Sequence, residues 1–174
     1  MRDRWSEFLT WVAYSLGAIL MGGAALESSV YIPNWLHDMP ASLEAARTFL
    51  VARNPGHFFQ LVTPVLVLAS IAAIVLAWRR SRVRSALMGG LALLIVAEAL
   101  TFVLVYPKIG LLLGEAVAQR PVAELETAAS SLLLWGFWIR LPLMAVAIFG
   151  FYSYAARTMT IERARGNTGR WECR

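Results

Sequence analysis

The stretch HFFQLVTPVLVLASIAAIVLAW, residues 57–78, contains no Asp, Glu, Lys or Arg. A helix needs about 20 apolar residues to cross the hydrocarbon core of a bilayer. Within that core the backbone N–H and C=O groups find no water, so a helix, which pairs them internally, is the expected structure. The stretch therefore predicts a transmembrane helix, and this helix sets the fold class of the chain.

Three further runs of similar length and composition flank this one, at residues 8–31, 85–106 and 132–156. Of the 174 residues, 59% are hydrophobic and only 16% are charged, which leaves more apolar surface than a water-soluble domain can bury. The sequence predicts an all-α, integral membrane four-helix bundle. It forms a single membrane domain over residues 1–174, with a polar cytoplasmic tail at 157–174.

Arginine is unevenly distributed among the connections between these runs. It clusters before the first run, at residues 79–84 and after the last run, whereas residues 32–56 and 107–131 hold few basic residues and several acidic ones. Basic connections favour the cytoplasmic side. Both termini are therefore predicted to be cytoplasmic, in a bacterial inner membrane. Because the net charge of +5 lies in short tracts and not on one basic face, nucleic acid is not an expected partner.

The two longer loops, predicted to face outward, are expected to contain short amphipathic helices. In MPASLEAARTFLVARNPG, residues 39–56, Ser42 is a suitable cap and apolar residues recur at helical spacing. These apolar positions are Leu43, Ala46, Phe49 and Leu50. In PVAELETAASSLLLW, residues 121–135, Pro121 and the acidic first turns predict that the fourth helix begins well above the membrane.

Four ionisable residues lie inside the predicted spans: Glu27, His57, Glu98 and Arg140. Each comes from a different span, and at about 1.5 Å of rise per residue all four fall in the outer half of the membrane. Ionisable groups are costly in lipid and normally face the interior of a bundle. We therefore expect the four to line one pocket that opens toward the outside or the outer leaflet.

Polar and aromatic residues near these four extend the predicted pocket, several of them at helical spacing. The candidates for substrate binding are Tyr31, Asn34, Gln60, Trp135 and Trp138. Thr101 lies on the Glu98 face and is a supporting residue.

Structural and metal-binding roles are alternative interpretations of the charged residues. Glu98 and Arg140 could form an ion pair that fixes helix register, Glu27 could bond to a loop, and His57 could be a solvated residue at a helix start. As metal ligands, His57, Glu27 and Glu98 would make a facial triad if Arg140 did not intervene, which leaves iron, copper or no cofactor open. Proton abstraction is the better fit, because Arg140 can stabilise an enolate-like anion.

The motifs of three helices resemble those of the anthrone oxygenase family of small four-helix membrane proteins. They are the Gly-rich first helix with Glu27 near its outer end, the PGH sequence before a second helix that contains Pro64, and Trp135 and Arg140 followed by Pro142. The resemblance covers roughly residues 12 to 156. The family pattern has Asn after the first Trp of the fourth helix, whereas this chain has Gly136.

The resemblance implies oxidation of a lipophilic, polycyclic phenolic ketone by O2 to a quinone, without flavin or haem. His57 by preference, or Glu27, would remove an acidic C–H proton as the catalytic base. Arg140 would then stabilise the resulting phenolate or enolate. The expected partners are the lipid bilayer, the lipophilic small molecule and O2.

Supporting roles and two other functions complete the expectations. Gln60 and Trp135 would position the ring system, and Glu98 would hold Arg140 in place. A non-catalytic subunit of a larger membrane complex is one alternative function. A small-molecule binding or transport protein is the other, and it ranks lowest because the inner half of the spans lacks comparable polarity. A homo-oligomer is compatible with each function.

Overall fold

The computed structural model describes residues 2–168, and of residues 163–168 the backbone alone. Within that range the chain is entirely helical apart from turns and connections, as predicted. Four helices are long and apolar enough to cross a membrane, and a short helix lies between the first two. The helices are α1 (Arg2–Leu36), α2 (Ala41–Phe49), α3 (Pro55–Leu76), α4 (Ser81–Leu112) and α5 (Val122–Glu162), whose helical backbone continues to Thr168.

The long helices extend beyond most of the predicted spans. α1 begins at Arg2, α4 continues to Leu112, and α5 begins at Val122, ten residues before the predicted span at 132–156. Hydropathy marks the part of a helix that fits in lipid, but intrahelical hydrogen bonds continue into polar flanking sequence. Part of the predicted tail is likewise helical, while residues 169–174 lie outside the described residues.

Glycines allow the long helices to pack closely. α1 packs along α3, and α4 packs along α5. A Cβ on Gly23 would lie 2.5 Å from a ring carbon of Phe58, and a Cβ on Gly90 would lie 2.7 Å from a ring carbon of Tyr152. The hydroxyl groups of Tyr152 and Ser70 share a buried hydrogen bond of 2.7 Å. This bond pairs two buried polar groups between α3 and α5.

One end of the molecule, the Arg-rich end, carries the α3–α4 connection. Arg80 in that connection lies 3.2 Å from a carboxylate oxygen of Asp3 in α1 and 3.4 Å from one of Glu162 in α5. The start of α1 and the far part of α5 are therefore at the same end. The opposite end, called the long-loop end, carries residues 37–54 and 113–121.

The first long loop contains the predicted helix, α2, with one difference in its buried face. Leu43 and Ala46 are buried, whereas Phe49 is 82% exposed and Leu50 only partly buried. The Ser42 hydroxyl donates to the backbone oxygen of Trp35 at 2.6 Å, so it connects α2 to α1 and does not cap α2. The prediction that Phe49 packs inward was wrong, because α2 ends there and the Phe49 side chain lies on the exposed side of the last turn.

Three long helices widen into π-helical geometry toward the long-loop end. The widened segments are Glu27–Tyr31, Thr101–Val105 and Leu133–Arg140. A proline follows two residues after each segment: Pro33, Pro107 and Pro142. Proline has no N–H to donate and its ring crowds the carbonyl four residues earlier, so the preceding turn opens. Glu27 and Thr101 begin such segments and Arg140 ends one, which brings the widened backbone to the residues of interest.

Candidate functional site

A cavity of about 410 Å³ lies at the long-loop end, between the widened segments of α1, α4 and α5 and the start of α3. Its polar lining residues are Glu27, Asn54, Gln60, Thr101, Tyr106 and Arg140. Apolar side chains, among them Trp35, Phe59 and Val105, form the remaining wall. The volume lies within the range of roughly 300–1,000 Å³ that is usual for small-molecule sites.

Arg140 is the most deeply buried charged residue of this cavity, with 3% of its surface exposed. Its guanidinium carbon lies 5.2 Å from the centre of the Phe59 ring. Among the described residues, Nε of Arg140 has no hydrogen-bond partner. A buried polar group without a partner costs about 1–3 kcal/mol, and more when it is charged. The cavity thus contains a cationic donor that the described part of the protein leaves incompletely satisfied.

Two carboxylates lie within electrostatic range of Arg140, those of Glu27 and Glu98. Within the described residues, however, neither forms an ion pair with Arg140 at 4.0 Å or less. The alternative of a direct Glu98–Arg140 ion pair is therefore wrong. Glu98 lines a separate crevice together with Thr63 and Ile95, whereas Thr101 lines the cavity.

Glu27 is the carboxylate that faces the cavity. It is 8% exposed and begins the widened segment of α1. Glu27 also borders a neighbouring crevice of about 390 Å³, which it shares with Phe59 and which Tyr31 and Phe58 line. The buried carboxylate of Glu27, opposite in charge to Arg140, therefore lies at the boundary between the cavity and the neighbouring crevice.

Two other predicted residues, Gln60 and Thr101, also line the cavity. The Thr101 hydroxyl donates to the backbone oxygen of Ala97 at 2.9 Å, so this donor is already used. Gln60 is exposed and is a polar residue of the cavity lining.

Sequence reasoning missed Trp35, Asn54 and Tyr106 as lining residues. Aromatic residues near the ends of apolar spans, such as Trp35 and Tyr106, are typical of an interfacial belt, but Trp35 is only 6% exposed. Tyr106 lies within electrostatic range of Glu27, Glu98 and Arg140. The signal that could have found it is its position directly before Pro107.

Besides Tyr31, which lines the neighbouring crevice, three predicted binding residues lie outside the lining of this cavity. Trp138 is 68% exposed and packs edge-on against Phe137. Trp135 packs against the apolar cluster beneath the long loops, and the Asn34 side chain donates to the backbone oxygen of Val30 at 2.8 Å. None of the three is among the described residues that line the cavity, so their proposed contacts with substrate lack support.

His57 occupies the third position of α3 and has a helix-capping contact. The backbone N–H of Asn54 donates to Nδ1 of His57 at 3.3 Å. His57 is not among the described residues that line the cavity, although the nearby residues Gly56 and Phe59 are. This position favours the interpretation of His57 as a residue of the helix start.

Replacing His57 by Ala should destabilise the protein without weakening ligand binding in the cavity. The expected loss is about 0.5–2 kcal/mol, typical of a lost helix cap. Thermal unfolding in detergent, with His37→Ala as the control at the other histidine, measures the change. Loss of turnover in His57→Ala at unchanged stability would contradict this assignment and return His57 to the role of base.

The described residues contain no group of three or more His, Cys, Asp or Glu side chains placed to hold a metal ion. The predicted triad of His57, Glu27 and Glu98 does not assemble, because Glu98 lines a different crevice and His57 is tied to Asn54. The arrangement that does assemble is a buried arginine and a buried carboxylate on one cavity, a combination suited to binding an acidic molecule and exchanging its proton.

Comparisons with protein-family models, with curated proteins and with solved structures found no match to this chain.

Proposed function

We propose that the chain is a membrane oxidoreductase of the anthrone oxygenase type. Its substrate is a lipophilic phenolic or polycyclic ketone, bound in the cavity as an anion beside Arg140. The observation that carries the proposal is the buried Arg140 on the cavity wall, whose Nε has no hydrogen-bond partner among the described residues. An enolate or phenolate oxygen supplies both the charge and the hydrogen-bond acceptor that this donor lacks.

The proposed location is a bacterial inner membrane, which the chain crosses as a four-helix bundle with both termini in the cytoplasm. The Arg-rich end then faces the cytoplasm, in accordance with the distribution of basic residues. The contacts of Arg80 with Asp3 and Glu162 support a common side for both ends of the described chain. The cavity accordingly opens in the outer half of the membrane.

Glu27 takes the role of base in this proposal, in place of His57. The Glu27 carboxylate removes one proton from the CH2 group next to the aromatic rings, and the electron pair moves onto the ketone oxygen, which Arg140 stabilises. The anion gives electrons to O2 and forms a C–O bond, and the peroxide oxygen takes the proton back from Glu27. Loss of water from this hydroperoxide breaks the O–O bond and the second C–H bond. In sum, CH2 and O2 become C=O and H2O.

The direct test is turnover by the purified protein in lipid nanodiscs, with an acidic tricyclic phenolic ketone as substrate. We expect quinone absorbance to rise as O2 falls in a ratio of one to one, without release of H2O2. Metal content is measured in the same preparation. Binding without turnover would contradict the oxidoreductase and favour a binding or transport protein. Absence of binding would favour a non-catalytic subunit of a larger complex.

A further inference from the structure

A crevice of about 280 Å³ lies between α3 and α4, separate from the cavity beside Arg140. Its wall is apolar except for two residues, Thr63 from α3 and Glu98 from α4. Ile95 at its edge is 54% exposed on the surface of the long helices, so the crevice opens sideways, toward the lipid in the proposed arrangement.

The two polar residues of this crevice are both incompletely satisfied. Among the described residues, Oγ1 of Thr63 and Oε1 of Glu98 are buried and have no hydrogen-bond partner. These two atoms do not bond to each other either, although both residues line the same crevice. Only one other buried side-chain atom in the described residues shares this state, Nε of Arg140. Two of the three unpartnered atoms therefore belong to residues that line one small crevice.

We infer that this crevice binds a lipid-soluble molecule that carries a hydroxyl group. A hydroxyl both donates and accepts, so it can donate to Oε1 of Glu98 while it accepts from Oγ1 of Thr63. The apolar part of the molecule would lie against Leu20, Leu66 and Leu94. An acyl chain alone leaves both atoms unpartnered, and a water molecule finds few polar groups beyond these two.

The test is photo-crosslinking in nanodiscs with a diazirine-bearing long-chain alcohol and with its methyl ether, at equal mole fraction in the lipid. The ether retains the apolar chain but has no hydrogen to donate. We expect the alcohol to label residues 63–67 and 94–99 about tenfold more than the ether does, the factor that corresponds to the one buried hydrogen bond that the ether cannot donate. Peptide mapping by mass spectrometry locates the labelled residues.

Variants then connect the labelling to the two polar atoms. Thr63→Val preserves the shape of the side chain and should reduce labelling by the alcohol, and Thr63→Val combined with Glu98→Leu should reduce it to the level of the ether. Ser70→Ala is the matched control on α3, because the Ser70 hydroxyl is already paired with Tyr152. If the double variant does not fold, labelling of the Thr63→Val variant by the alcohol alone decides whether the inference holds.

Two results would overturn the inference. Equal labelling by alcohol and ether would show that the crevice accepts any long alkyl chain. Undiminished labelling by the alcohol in Thr63→Val would show that the hydroxyl of the ligand does not contact this site. Since crosslinking requires no turnover, either result is independent of the oxidoreductase proposal.

Discussion

Glu27→Gln should abolish turnover while leaving substrate affinity within a few-fold of the wild type. Gln has nearly the shape of Glu but cannot take up a proton, and loss of a positioned base typically costs about 10²- to 10⁴-fold in rate. The buried position of Glu27 on the cavity wall is the basis for this expectation. Single-turnover absorbance of the quinone gives the rate. Quenching by the substrate of the fluorescence of Trp35, which lines the cavity, gives the affinity.

Proton removal can be separated from oxidation by omitting O2. In D2O without oxygen, wild-type protein should accelerate exchange of the acidic CH2 protons above the rate in empty nanodiscs, and Glu27→Gln should not. Glu126→Gln is the control, since Glu126 is an exposed acidic residue of α5. Wild-type exchange rates in Glu27→Gln would refute the role of Glu27 and direct attention to Tyr106, whose phenol also lines the cavity.

Arg140→Met should lower the affinity for an acidic ligand by roughly tenfold to a hundredfold. A hydrogen bond to a charged group contributes about 1.5–3 kcal/mol, and about 1.4 kcal/mol corresponds to a factor of ten in affinity. Met has a similar length and remains compatible with the apolar contact to Phe59. Titration with the phenolic ketone and with its neutral methyl ether measures the change, and only the acidic ligand should lose affinity.

Two further variants separate charge from geometry at this position. Arg140→Lys retains the charge but lacks the planar, forked donor, so we expect only partial recovery of affinity. Arg120→Gln removes an arginine whose partner is Glu124 near the surface, and it should behave as wild type. Equal affinity of wild type and Arg140→Met for the acidic ligand would remove the main support for the proposed function. Gel filtration of each variant confirms that the protein remains folded, since Glu27 and Glu98 lose a nearby positive charge.

Some of the predicted site residues line the cavity and others do not, and the local geometry of each helix explains the difference. Glu27 and Arg140 were placed together correctly because an ionisable group within an apolar span normally faces the interior of the protein. The assignments based on helical spacing from Glu27 were less successful: Asn34 bonds within α1, and Tyr31 lines the neighbouring crevice. The segment Glu27–Tyr31 is π-helical, so spacing at 3.6 residues per turn does not describe its faces.

The sequence by itself determined the helical fold and the four candidate membrane spans, because these depend on the length of apolar runs and on intrahelical hydrogen bonds. The sequence also identified Glu27 and Arg140, the two buried charges of the cavity, because the cost of a charge in lipid depends mainly on its depth. Only the tertiary structure decided that His57 contacts Asn54 and that Glu98 lines a crevice apart from Arg140. Those outcomes depend on the rotation of each helix about its own axis, which packing and the widened turns set and which the sequence pattern leaves open.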